Sequence, residues 1–253
     1  MGAVDLAALA SFLDRYLRIS DVPDAPNARN GLQVANAGTV SRTAAAVDLC
    51  ETTVRMAEQS GADLLLVHHG LFWDGLQPLT GRAYRRTAGL IQRNIALYSA
   101  HLPLDVHPEI GNNALLARRL GVRVRGEFGE EYGVRIGVWG ELDVARAALG
   151  EQLAGIVGAA PRLMAFGPER VQRMGIVTGA AGSMIDQAAA AGLDTFVTGE
   201  GSHHTFFDAE ELGLNVFYAG HYATETFGVK ALAERLCTEF GLPWTFLDHP
   251  SGL

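Results

Sequence analysis

Between Val4 and Arg18 the apolar residues Leu6, Leu9, Phe12, Leu13, Tyr16 and Leu17 recur at three- and four-residue intervals, which predicts an amphipathic first helix. The stretch DVPDAPNARNGLQV that follows is rich in Pro, Asn and Asp and reads as a loop. From residue 42 the pattern changes. Arg42–Leu49 reads as a buried strand, Cys50–Ser60 as a helix stopped by Gly61, and DLLLV at 63–67 as a second strand running into His-His-Gly. A polar helix around 83–93 and the apolar run IALYSA follow. Strand, helix and strand at these separations form the βαβ pattern of a layered α/β fold.

The run GVRVRGEFGEE at 121–131 is Gly-rich and charged, and it marks a candidate domain boundary. A second α/β series begins beyond it. VRIGVWG, RMGIVTG, LDTFVTGE and LNVFYAG read as strands, and PWTFLDH as a closing strand. Helices are expected over 143–157, 184–191 and 223–240. No internal repeat of 20–50 residues appears.

Three of the predicted strand ends carry metal-binding chemistry, and strand carboxyl ends are where open α/β sheets hold ligands. The first is His68-His69, where DLLLV meets Gly70. An isolated His-His pair more often belongs to an ordinary loop. The second is HLPLDVH, with His101, Asp105 and His107; Pro103 there predicts a strand end entering a turn rather than a helix. Alone, Asp105 is as well explained as a turn or cap residue. The third is GHYATE, in which His221 and Glu225 are four apart and would share one helix face if the helix starts near Gly220. Together the clusters offer His68, His69, Asp105, His221 and Glu225, with His101 nearby. This mixed nitrogen and oxygen set without thiolate suits Zn, Fe, Mn or Co, and five ligands suffice for two ions sharing a bridging carboxylate.

TGEGSHH adds Glu200, His203 and His204. Glu200 at a strand end, with His204 behind it, is a candidate general base for a metal-bound water, and a solvated loop is the equal alternative. Asp48, Asp63 and Asp74 are candidates to orient ligand histidines, with cap or surface roles as the plainer option. Phe72 and Trp73 are expected to wall the site, and GAAGS at 179–183 is either an anion-holding helix start or a tight turn.

Composition narrows the function classes. The 253 residues are 48% apolar and 19% charged, which excludes intrinsic disorder. The net charge of −8 argues against a nucleic-acid partner. The only two cysteines, Cys50 and Cys237, form no disulfide framework, and the N-terminus lacks the basic start of a signal peptide. No apolar run nears the ~20 residues of a membrane span. The expectation is a cytoplasmic protein with no membrane partner.

VHHG with FW just beyond it, HLPLDVHPEIGNN, VTGE and AGHYATE, together with PNARNGLQV near the start, resemble the Nif-three-like family, whose members are often labelled GTP cyclohydrolase 1 type 2. The resemblance spans nearly the whole chain. It implies a dinuclear metal site on His68, His69, Asp105, His221 and Glu225, and two linked α/β domains with mixed sheets, placed here at 1–125 plus 226–253 and at 126–225. It also implies a ring-shaped homohexamer. The activity expected is hydrolytic opening of the guanine ring of GTP with release of formate, so the partner is a small molecule of nucleotide type. The alternatives are a metal-dependent phosphohydrolase and a metal-binding interaction protein without turnover.

Overall fold

The computed structural model describes residues 2–252. The chain is mixed α/β and divides into two compact units, Met1–Leu104 with Gly228–His249, and Asp105–Phe227 with Pro250–Leu253.

The first unit opens with strand β1 (Val4–Asp5) and helix α1 (Leu6–Tyr16). Asp5 Oδ1 accepts the Ala8 N–H at 2.8 Å and caps the helix, whose Leu6, Leu9, Ala10 and Leu13 are buried at the predicted spacing. Next come β2 (Gly31–Val34), β3 (Thr39–Val40), β4 (Thr43–Asp48), α2 (Glu51–Gln59), β5 (Leu64–His69), α3 (Gly81–Gln92), β6 (Ala96–Ser99) and the short turn of helix α4 (Leu102–Asp105). Strands β4, β5 and β6 pair in parallel, and β2 closes against β6 antiparallel. TAAAVD and LLLVHH are buried along all but their last residue, because helices cover both faces of a parallel sheet.

The second unit holds α5 (Asn112–Arg119), the long hairpin β7 (Arg123–Glu131) and β8 (Val134–Ala145), then α6 (Arg146–Val157), β9 (Arg162–Ala165), β10 (Arg170–Ile176), α7 (Ile185–Ala190), β11 (Thr195–Thr198), α8 (Thr205–Leu212), β12 (Asn215–Tyr218) and α9 (His221–Phe240). Its six-stranded sheet runs β7-β8-β10-β11-β12-β9, parallel only across β10, β11 and β12. Leu116, Leu149, Leu153, Met174, Ile176 and Phe217 form its core. The residues of α9 from Gly228 onward belong to the first unit, where β13 (Trp244–Phe246) adds to the sheet parallel to β4.

Several elements differ from the sequence reading. The 121–131 run is no domain boundary. It is strand β7, whose charged residues face outward while Phe128 is buried, so hairpin pairing outweighs its Gly content. The division accordingly falls at 104/105 and not at 125/126, because Leu116, Ala117 and Leu120 pack into the second unit's core. HLPLD is a helical turn; Pro103 sits in its first turn, where a missing N–H costs nothing. GLQV at 31–34, expected within a loop, is strand β2, and β9 and α8 lacked a clear periodic signal.

Leu66 is fully buried in the central strand β5. Leu66→Ala is expected to lower the unfolding free energy by about 2–5 kcal/mol through the cavity it leaves. Leu66→Asp should give no folded protein, since it buries an unpaired carboxylate. Urea unfolding followed by circular dichroism measures the first, and soluble yield the second.

Candidate metal centre

In the first unit the end of β5 and the residues after β6 bring three imidazoles together. One ring nitrogen from each of His68, His69 and His101 lies within 4.8 Å of the others. Each ring is held at Nδ1 by a group that only accepts. His68 Nδ1 is 2.8 Å from the Ala100 carbonyl, His69 Nδ1 is 2.8 Å from Asp48 Oδ1, and His101 Nδ1 is 2.8 Å from Asp24 Oδ1. An acceptor at Nδ1 places the ring proton there and the lone pair on Nε2, which is how metal-binding histidines are oriented. The Asp48 contact follows from register, because Asp48 and His69 are paired neighbours across β4 and β5.

Asp24 is the residue sequence reading missed. Burial works against its ionised form. The hydrogen bond and charge of His101, with N–H donors from Asn30 and Leu102, overcome this and hold its carboxyl below the usual range. Asn30 also accepts the His101 backbone N–H at 2.8 Å, and Gln33 accepts the Leu71 N–H at 2.7 Å. These polar residues in an otherwise irregular segment were the available signal. Trp73 does wall the cluster, with its ring centroid 4.8 Å from His69 and 4.5 Å from His101. Asp63 instead caps the backbone of Ser41 and Arg42, and Asp74 pairs with Arg82 and Arg86.

In the second unit α9 begins at His221, so His221 and Glu225 share a face, and His221 Nε2 lies 3.1 Å from Glu225 Oε2. His221 Nδ1 lies 2.7 Å from Glu200 Oε1. Burial alone would lower the His221 pKa, but Glu225 and then Glu200 outweigh it through hydrogen bonds and charge and push it up to about 9. Glu225 and Asp105 are both buried. Asp105 Oδ1 accepts from Asn112 Nδ2 at 2.8 Å and from the Thr178 hydroxyl at 3.4 Å. Gly179 follows, in the left-handed region at φ +72°, and a Cβ there would overlap the Glu225 carboxylate and come within 3.6 Å of His221 Nε2. Gly179 N donates to Thr224 Oγ1, tying the turn after β10 to the first turn of α9. His204, the other residue read as a candidate base, is exposed just before α8.

The donor chemistry fits a divalent cation. Imidazoles anchored at Nδ1 and buried carboxylates suit Zn, Fe, Mn or Co, and no thiolate takes part. The family Duf34/NIF3 (NGG1p interacting factor 3) matches residues 4–251. The chain belongs to this family. It is 44% identical over its full length to the GTP cyclohydrolase 1 type 2 homolog of Deinococcus radiodurans, covering 96% of that protein. It is 42% identical to the homolog of Archaeoglobus fulgidus, over 99% of this chain and all of the other. Among solved structures, TTHA1606 from Thermus thermophilus superposes with a TM-score of 0.90 at 43% identity, covering 99% of this chain and all of that one. The protein ybgI, described as of unknown function, gives 0.92 at 38% identity over the same shares. Among the described residues of this family member, no helix is long and apolar enough to cross a membrane.

The pair formed by Glu225 and His221 gives a direct test. Gly158 also has a positive φ, +84°, but open space around a Cβ. Both Gly158→Ala and Gly179→Ala should cost about 1–2 kcal/mol of backbone strain. Only Gly179→Ala should also displace the Glu225 carboxylate and bring the His221 pKa down from about 9 toward the ordinary imidazole value. Imidazole proton shifts followed by NMR across pH 5–10 in metal-free protein read this out.

Proposed function

We propose that the protein is a metal-dependent hydrolase that holds two divalent ions on His68, His69, Asp105, His221 and Glu225. Two such ions supply a hydroxide at neutral pH and a Lewis acid for the bond it attacks. The observation carrying the reading is the uniform Nδ1 anchoring of His68, His69, His101 and His221, together with two buried carboxylates. The names of the relatives support a nucleotide substrate: hydrolytic opening of the guanine imidazole ring of GTP with formate leaving. Within this reading Glu200 and Asp48 orient His221 and His69, and Glu225 compensates cation charge. We read the protein further as a cytoplasmic homohexamer.

A second reading has support from one contact. Glu200, nominated as the base, is engaged with His221 Nδ1, and His204 is exposed. A metal-binding protein without turnover would need no base. Elemental analysis of protein purified without chelator, followed by a hydrolysis screen over nucleotides with the metal found, separates the two. The expected result is two ions per chain and formate release from GTP. Fewer than one ion per chain after reconstitution overturns both readings.

Glu225→Gln keeps the shape of the side chain and removes its charge. It should lose at least one ion with the fold intact, as seen by circular dichroism and elemental analysis. The proton on His221 sets a pH dependence. Below about 9 the ring is protonated in the metal-free chain, so a cation binding at Nε2 must displace that proton. Apparent affinity at that ligand should therefore rise with pH, by up to about tenfold per unit, and level off above about 9. Competition with a chromophoric chelator measures it, and a flat profile from pH 7 to 9 counts against His221 as a ligand.

A further inference from the structure

The chain leaves β5 at His69 and returns to helix α3 through residues 70–80. Leu71 is pinned to Gln33 at the start of this segment, and Trp73 packs its ring on His69 and His101. On its other side the segment bounds a cleft of about 460 Å³ lined by Phe72, Asp74, Gln77, Thr80, Arg82 and Arg86. That size lies in the range of small-molecule sites.

Charge in this cleft is unbalanced. The Nη2 atoms of Arg82 and Arg86 both reach one oxygen of Asp74, at 2.8 and 3.3 Å. Two guanidiniums on one carboxylate leave one positive charge over, whereas the adjacent Arg85 is matched by Glu51 at 2.9 Å. The Arg86 side chain is 14% exposed, and its Nε is buried with no hydrogen-bond partner among the described residues. Its Nη1 donates to the Leu49 carbonyl at 3.4 Å, and a buried donor without an acceptor is costly, so this guanidinium gains from a rearrangement that gives Nε an acceptor. The first turn of α3 opens on the same cleft, and Thr80 makes no side-chain cap bond to its N–H groups.

We propose that this cleft is an anion subsite that holds a phosphate group of the substrate, with Arg82 and Arg86 as its ligands. The inference rests on the reading of the protein as a hydrolase of a phosphorylated nucleotide and adds to it the residues that select the phosphate. Planar guanidinium forks pair with phosphate oxygens two at a time, and a dianion satisfies both forks where Asp74 satisfies only part of them. Asp74 is 43% exposed in its side chain and can swing to solvent when the phosphate enters.

The test uses the full chain, with metal content measured and equal in every variant. Calorimetric titrations with inorganic triphosphate, GTP and guanosine are compared for the wild type, Arg82→Gln, Arg86→Lys and Asp74→Asn. Arg82 is 70% exposed in its side chain, so its variant folds even if the change at Arg86 perturbs the helix. Both arginine variants should weaken triphosphate and GTP at least about fivefold and leave guanosine unchanged, as the loss of charge-assisted hydrogen bonds requires. Asp74→Asn releases both guanidiniums and should tighten triphosphate binding. The subsite is overturned if Arg82→Gln binds triphosphate as the wild type does, or if Asp74→Asn fails to tighten it. Arginine-dependent binding without turnover of any nucleotide would remove the hydrolase reading and keep the subsite. GTP turnover with a KM indifferent to both arginines would do the reverse.

Discussion

An imidazole can hold a cation only through a nitrogen that carries no proton, so what the histidines of each unit can bind depends on where their protons sit. Three histidines of the first unit, and His221 of the second, each set Nδ1 against a different acceptor. His68 uses the Ala100 carbonyl, His69 the register-paired Asp48, His101 the loop carboxylate Asp24, and His221 the strand-end Glu200. Each partner accepts and cannot donate, which fixes a proton on Nδ1. The partners come from β4, from the segment after β6, from the loop ahead of β2 and from the turn after β11. The parallel strands therefore do more than bury Leu64, Leu65 and Leu66. They put the last residue of one strand beside the last residue of its neighbour, and Asp48 beside His69 is the result.

The two units carry different electrostatics. The first gathers imidazoles, two of whose Nδ1 atoms lean on the carboxylates of Asp48 and Asp24. The second buries two carboxylates, Asp105 and Glu225, with 7% and 3% of their surfaces exposed. Burying negative charge is unfavourable unless it is compensated. For Asp105 the compensation comes from the donors Asn112 and Thr178. For Glu225 it includes the imidazole of His221, whose pKa rises to about 9 in consequence. The proton that His221 keeps thus supplies positive charge beside the buried Glu225 carboxylate. Gly179 belongs to the same arrangement, since only a residue without a side chain leaves the Glu225 carboxylate where it lies.

Sequence periodicity made the parallel strands and the amphipathic α1 legible, because burial on one face or two leaves a regular record. The strand-end histidines were legible for the same reason: apolar runs ended in residues that have no place in a core. Three features left no such record. Strand β7 is charged and Gly-rich because it lies in a hairpin with one outward face, and composition mistook that for a domain boundary. Pro103 excludes a helix interior but not a first turn, which has no N–H bond to lose. Asp24 could not be paired with His101 by any local rule, since 77 residues separate them and only the folded loop joins them.

Glu200 shows how far a strand-end position can determine a role. Its place after β11 nominated it as a base, and a base needs a carboxylate oxygen aimed at the proton it removes. Oε1 of Glu200 instead lies 2.7 Å from His221 Nδ1, a contact that helps keep this imidazole charged in the metal-free chain. The same bond, once Nε2 has given up its proton, makes the imidazole a better electron donor and fixes its angle. What the structure shows for Glu200 is this contact, which fixes the orientation of the His221 ring.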